Sequence, residues 1–140
     1  MAILSQTADY ALRAVLYVAE QAEDEPVQVA KMAEALRIPQ NYLSKILHQL
    51  ARTGVLSSTR GKAGGFQLAV PADRLRLITV IAPFDRFEQR RQCLLGRPEC
   101  SDRTACAAHG RWKHVADTLV AFFRETSVAD LVRGTAVATP

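Results

Sequence analysis

The sequence predicts a mainly α-helical fold with one small β-hairpin and a long helix towards its C-terminus. Three observations predict it. Up to Leu50 the chain carries three successive apolar stripes of helical period. A glycine-rich break then separates two short stretches of partly alternating character, and a wide apolar stripe follows over residues 112–123.

In the first helix Leu12, Val15, Leu16 and Ala19 fall at i, i+3, i+4 and i+7 and are expected to form its buried face. This helix starts near Thr7 and stops at the acidic, proline-containing residues 23–26. Val29, Met32, Ala33 and Leu36 repeat the pattern in a second helix, and Leu43, Ile46, Leu47 and Leu50 repeat it in a third. Between them lies Arg37-Ile38-Pro39, and Pro39, which cannot continue a helix, stands where the second one must stop. Two short amphipathic helices joined by so tight a turn make a helix-turn-helix. Gly54 caps the third helix, after which residues 55–59 and 66–70 suit strands. They flank Arg60-Gly61-Lys62-Ala63-Gly64-Gly65, a hairpin loop, because glycine reaches backbone angles closed to other residues. Helix, turn, helix and a basic-tipped hairpin together make a winged helix-turn-helix.

A short apolar helix is expected over residues 77–82, ended by Pro83. An arginine-rich loop over residues 85–104 holds two of the three cysteines, and a loop that long in so small a protein has a function or ligand to organise it. Trp112, Val115, Ala116, Leu119, Phe122 and Phe123 then trace a wide stripe along the long helix. The first three helices already have partners in one another, so this stripe is expected to be a dimer interface. Ser127-Val128-Ala129-Asp130 reads as a capping box opening a last short helix. The expected organisation is a winged helix-turn-helix over residues 1–76, a short helix, cysteine loop and dimerisation helix over 77–134, and a flexible tail over 135–140.

About half of the 140 residues are apolar (49%), enough for a core but with little to spare for a buried enzyme cleft. No phosphate-binding glycine loop with its lysine and no acid/base pair points to an enzyme or to a small-molecule substrate. No apolar run is long enough to span a bilayer, and Asp9, Arg13 and Glu20 interrupt the N-terminal apolar stretch, so neither membrane nor signal peptide is expected. The expected location is the cytoplasm.

Charge is more informative by segment than in its total of +4. Residues 37–72 hold five basic residues (Arg37, Lys45, Arg52, Arg60, Lys62) and no acidic one, the pattern of a polyanion-binding face. With the core stripe of the third helix assigned, its opposite face carries Asn41, Ser44, Lys45, His48 and Arg52. These are the hydrogen-bonding and cationic side chains that reach bases and phosphates in the major groove of double-stranded DNA. Asn41, Tyr42 and Lys45 are expected nearest the bases, with Arg52 on a phosphate or on the protein's own acids. Arg60 and Lys62 at the wing tip would enter the minor groove or clamp its phosphates. An interaction module that uses the same fold without DNA would instead lack salt-dependent DNA affinity.

The cysteines are spaced Cys93-x6-Cys100-x5-Cys106, followed by x2 and His109. An odd count in a cytoplasmic chain argues against a structural disulfide, and three clustered thiols do not form a nucleophile–base pair. Three thiolates and an imidazole are a metal-binding set, with Arg90, Arg91, Arg97 and Arg103 near them in sequence to stabilise negative charge. Zinc fits these donors, but zinc sites usually present closer cysteine pairs, so the wide gaps favour an iron–sulfur cluster over zinc. Thiols that sense oxidation directly are the other alternative.

Three stretches resemble the Rrf2 family of bacterial regulators. They are Leu4-Ser5-Gln6-Thr7-Ala8-Asp9-Tyr10-Ala11-Leu12-Arg13-Ala14, Asn41-Tyr42-Leu43-Ser44-Lys45-Ile46-Leu47 and Arg60-Gly61-Lys62-Ala63-Gly64-Gly65-Phe66. The three-cysteine loop and Ala129-Asp130-Leu131-Val132 extend the likeness over residues 1–134. The resemblance implies a homodimeric winged-helix repressor or activator whose DNA affinity follows an iron–sulfur cluster held by Cys93, Cys100 and Cys106. It offers two fourth ligands. His109 matches the iron–sulfur assembly branch and implies [2Fe–2S]; Asp9 from the partner's first helix matches the nitric oxide-sensing branch and implies [4Fe–4S]. His109 is preferred, being local and the better iron ligand. Two departures from the assembly branch stand out. The first cysteine gap is one residue longer, and Ser44 occupies a position where that branch has an acid.

Overall fold

The structure, a computed structural model, describes residues 3–21, 25–86 and 107–133. In order, its elements are α1 (Gln6–Glu20), α2 (Val29–Leu36), α3 (Gln40–Arg52), β1 (Leu56–Thr59) and β2 (Gly65–Leu68). A 3-10 turn (Ala72–Arg74), α4 (Leu77–Ile81), α5 (His109–Glu125) and α6 (Val128–Arg133) follow. The expected mainly helical winged fold is what forms. The cysteines and the expected tail lie outside the described residues.

α1 begins on Ser5, whose Oγ accepts from the Ala8 N–H at 3.2 Å and satisfies one of the helix's orphan donors. Its buried face is Ala8, Ala11, Ala14, Val15 and Val18. This corrects the expected stripe, because Leu12, Leu16 and Ala19 are only half-buried. The reason is position: α1 packs against α2, α3, α4, α6 and β2, and short alanine side chains let it approach so many neighbours. In α3 the expected stripe holds, with Leu43, Ile46, Leu47 and Leu50 all buried, while in α2 Met32 and Ala33 are buried and Val29 and Leu36 half-buried.

The turn between α2 and α3 is made by Arg37, which sits in the left-handed region at φ +57°. The Ile38 N–H then returns to the Ala33 carbonyl at 3.1 Å while the Ile38 side chain is buried. Thus Arg37 ends α2 two residues before Pro39, and the Pro39 carbonyl accepts the Leu43 N–H of α3 at 2.9 Å.

β1 and β2 pair antiparallel with Leu56 opposite Leu68 and Thr59 opposite Gly65. The sequence showed no sign of a third participant. Val27, just before α2, exchanges both backbone hydrogen bonds with Phe66 at 2.9 Å, sewing the wing to the helical body. Gly64 is needed for close approach, since a Cβ there would fall on the Thr59 and Gly61 carbonyl oxygens. Gly64→Ala is therefore expected to cost about 1–3 kcal/mol locally, as overpacking does. Amide exchange should rise across residues 57–67 and not in α1 or α3. An unchanged wing would show that the loop has room the geometry denies.

A single core cluster runs from α1–α3 through Leu77, Val80 and Ile81 of α4 to Val120, Phe123 and Val128. The expected capping box forms: the Ser127 N–H donates to Asp130 Oδ2 at 2.9 Å and the Asp130 N–H to Ser127 Oγ at 3.1 Å. α6 is drawn back to the 3-10 segment by the Val128 N–H donating to the Leu75 carbonyl at 2.8 Å.

Candidate functional site

On α3 the buried stripe dictates what faces outward, since residues three and four apart share a face. Asn41, Lys45, His48 and Arg52 are exposed, and Ser44 is half-buried. Lys45 and Arg52 make no ion pair among the described residues, and neither do Arg60 and Lys62 on the exposed wing loop. Four cations without acidic partners, on a stretch that contains no acid, form an electropositive surface.

Two contacts set the wing against α3. The His48 ring meets Phe66 of β2 edge to face, 5.6 Å between centroids. Gln28 Nε2 donates to the Lys62 carbonyl at 2.9 Å, which ties the wing tip to the start of α2. His48 is thus both an outward-facing side chain and a packing link between helix and wing. Gln28 escaped sequence reasoning, as its role depends on a partner 34 residues away.

Tyr42, expected near the bases, is also engaged within the chain. Its ring packs edge to face on Tyr10 at 5.7 Å, and its hydroxyl shares a hydrogen bond of 2.5 Å with Thr7 Oγ1. It remains 38% exposed, so one edge still faces outward at the start of α3. Arg13 was also missed. Its guanidinium lies over the Tyr10 ring at 5.8 Å and donates to the Leu36 carbonyl, the last residue of α2, at 3.3 Å.

Of the candidate metal ligands, Cys93, Cys100 and Cys106 lie outside the described residues. His109 is buried and is the first residue of α5. Asp9 is half-exposed and faces Arg13 of its own chain at 3.8 Å. Among the described residues alone no group of three or more His, Cys, Asp or Glu side chains could hold a metal ion.

The stripe expected at a dimer interface divides. Ala116 and Phe123 are buried within the chain together with Val120, because α5 packs on α4. Val115 and Phe122 are 48% exposed, and Trp112 and Leu119 are half-buried. Among the described residues no helix is long and apolar enough to cross a membrane.

Comparison with known proteins agrees with this geometry. The chain is 33% identical over 132 residues to an HTH-type transcriptional regulator of Aquifex aeolicus, covering 93% of this chain and 91% of that protein. It is 29% identical over 130 residues to the HTH-type transcriptional regulator IscR of Vibrio atlanticus, covering 93% and 75%. Among solved structures, CymR of B. subtilis, described as a global cysteine regulator, superposes with a TM-score of 0.75 at 20% identity over 96% of this chain and 99% of that one. IscR of T. potens superposes with a TM-score of 0.74 at 18% identity, covering 98% and 93%. The Rrf2 family, described as an iron-dependent transcriptional regulator, matches residues 4–134, from just before the Ser5 cap of α1 to just beyond α6. A match of that extent, on a helix-turn-helix with a basic wing, makes the chain a member of the Rrf2 family of DNA-binding transcriptional regulators, which are not enzymes.

Proposed function

We propose that the chain is a homodimeric regulator that reads double-stranded DNA with α3 and the wing, its affinity set by an iron–sulfur centre on the cysteine segment. The observation that carries the DNA reading is the set of four exposed cations, Lys45, Arg52, Arg60 and Lys62, without ion-pair partners among the described residues, on the same surface as Asn41. Asn41 and Lys45 reach base edges, Arg52 a phosphate, and Arg60 and Lys62 the adjacent minor groove. Arg52→Ala and Arg60→Ala are each expected to weaken DNA binding and to lower the slope of log K against log salt by about one. Fluorescence anisotropy across a salt series measures this, and an unchanged slope in both variants would sink the assignment.

For the second copy, Val115 and Phe122 offer an exposed apolar pair flanked by Trp112 and Leu119. Two recognition helices then serve two half-sites. Sedimentation equilibrium should give twice the chain mass for wild type and lose that state in a Val115→Glu, Phe122→Glu double variant.

The donor chemistry fits a cluster. Cys93, Cys100 and Cys106 supply three thiolates and His109 an imidazole three residues after the last of them. Asp9 of a second chain is the alternative fourth ligand, and in its own chain it already faces Arg13. When bound, such a cluster supplies a group that responds to redox state and nitric oxide. His109 favours [2Fe–2S] and Asp9 [4Fe–4S]. The second reading keeps the DNA reader and lets the three clustered thiols hold zinc or react directly with oxidants. An absorption spectrum of protein purified without oxygen, with iron, sulfide and zinc counted, decides between them. A brown protein with matching iron and sulfide supports the cluster; a colourless one with zinc or no metal refutes it.

A further inference from the structure

α1 grips the helix-turn-helix on both sides of its turn. On the α2 side, Arg13 donates to the Leu36 carbonyl. On the α3 side, Thr7 hydrogen-bonds Tyr42 and the Tyr10 ring backs the Tyr42 ring. Tyr42 belongs to the first turn of α3, between Asn41 and Lys45.

The foot of α1 is held by a different part of the chain. The Ser5 N–H donates to Asp85 Oδ2 at 2.7 Å, and the Ser5 hydroxyl donates to the Phe84 carbonyl at 3.1 Å. The bond to Asp85 is short and charge-assisted, the stronger kind of hydrogen bond. Asp85 stands eight residues before Cys93 in sequence. Ser5 Oγ is also the acceptor for the Ala8 N–H, so the group that caps α1 is the one bonded to the root of the cysteine segment. The contact at Thr7 lies two positions after the latch at Ser5, less than one helical turn.

We infer that Ser5 and Thr7 are positioning residues of the DNA reader, linking the root of the cysteine segment to the first turn of the recognition helix. A displacement at Phe84 and Asp85 moves the cap of α1. Thr7 and Tyr10 pass that movement to Tyr42, and it changes where Asn41 and Lys45 meet DNA. This link deepens the sensor reading and rests on it for its physiological signal. The link itself consists of contacts that exist whatever the cysteines hold.

The test uses the full chain as purified, without DNA, and follows backbone amide exchange. Asp85→Ala removes the acceptor for the Ser5 N–H and leaves the Ser5 cap intact. It is expected to raise exchange in residues 6–10 and 41–46 by about threefold or more while the wing, residues 57–67, stays as in wild type. Thr7→Val and Tyr42→Phe each remove one hydroxyl of the link. In either background Asp85→Ala should still raise exchange in residues 6–10 but no longer in 41–46, a non-additive pattern expected only of coupled sites. The link is overturned if residues 41–46 ignore Asp85→Ala, or if they respond equally with and without the hydroxyl pair. A separate measurement compares wild-type DNA affinity before and after the cysteines are oxidised or stripped of metal. Indifference there refutes the sensor reading and leaves the exchange result standing.

Discussion

Leu47→Ala is expected to destabilise the protein by about 2–5 kcal/mol, the range for deleting a fully buried leucine side chain and leaving a cavity. Leu47 is completely buried at the middle of α3, within the cluster shared with Leu43, Ile46, Leu50 and Met32. Against a total stability of roughly 5–15 kcal/mol, that is a large fraction. Urea unfolding followed by circular dichroism should show the midpoint falling with little change in slope. DNA affinity should fall with it, because the side chains proposed to meet DNA are carried by the same helix. Gln49→Ala, on the exposed side two residues away, is the control and should stay within about 0.5 kcal/mol of wild type. A cost below about 1 kcal/mol for Leu47→Ala would mean that α3 is not anchored by this stripe.

On the proposed cluster reading, Cys100→Ser is expected to abolish both metal binding and regulation while leaving the DNA reader folded. The serine hydroxyl is a poor ligand for iron, and the two remaining thiolates with His109 are one donor short. Coupling between a regulatory site and DNA affinity typically spans roughly 5–150-fold, and in this variant the ratio should fall to about one. Among the described residues the core around Leu43, Leu47 and Leu50 is built by the helices and the wing, so the unfolding transition is expected to keep its amplitude. Iron, sulfide and DNA affinity measured on one sample check this. A Cys100→Ser protein that still holds wild-type iron and still switches would remove Cys100 from the site.

Much of the outward face proposed for DNA was legible because α3 is a clean case. Four apolar residues at helical spacing define one face, and the residues left over, Asn41, Lys45, His48 and Arg52, must occupy the other. The wing was legible from its glycines, and Gly64 proves to sit where a side chain would collide with backbone. Tyr42 was not legible. Nothing local says that its hydroxyl meets Thr7, 35 residues away. The burial of the wide stripe on α5 was not legible for a related reason. Trp112 to Phe123 offers apolar positions on more than one face, and which of them turn inward depends on where α4 lies.

By itself the sequence determined what depends on neighbours within one or two turns. That covers the order of the helices, the capping box at Ser127 and Asp130, the basic character of residues 37–72 and the outward face of α3. Only the tertiary structure decided the choices between competing faces and the contacts between distant residues. Ala8, Ala11 and Ala14 are buried in α1, with Leu12 and Leu16 only half so, because a helix with five neighbours needs close approach more than bulk. Alanine carries too weak a hydrophobic signal for a periodicity to reveal that. Val27 joins the wing at Phe66, and Ser5 meets Asp85 across 80 residues. Such pairs leave no periodic trace in a sequence, since hydrogen-bonding groups far apart along the chain become partners only once packing has brought their elements together.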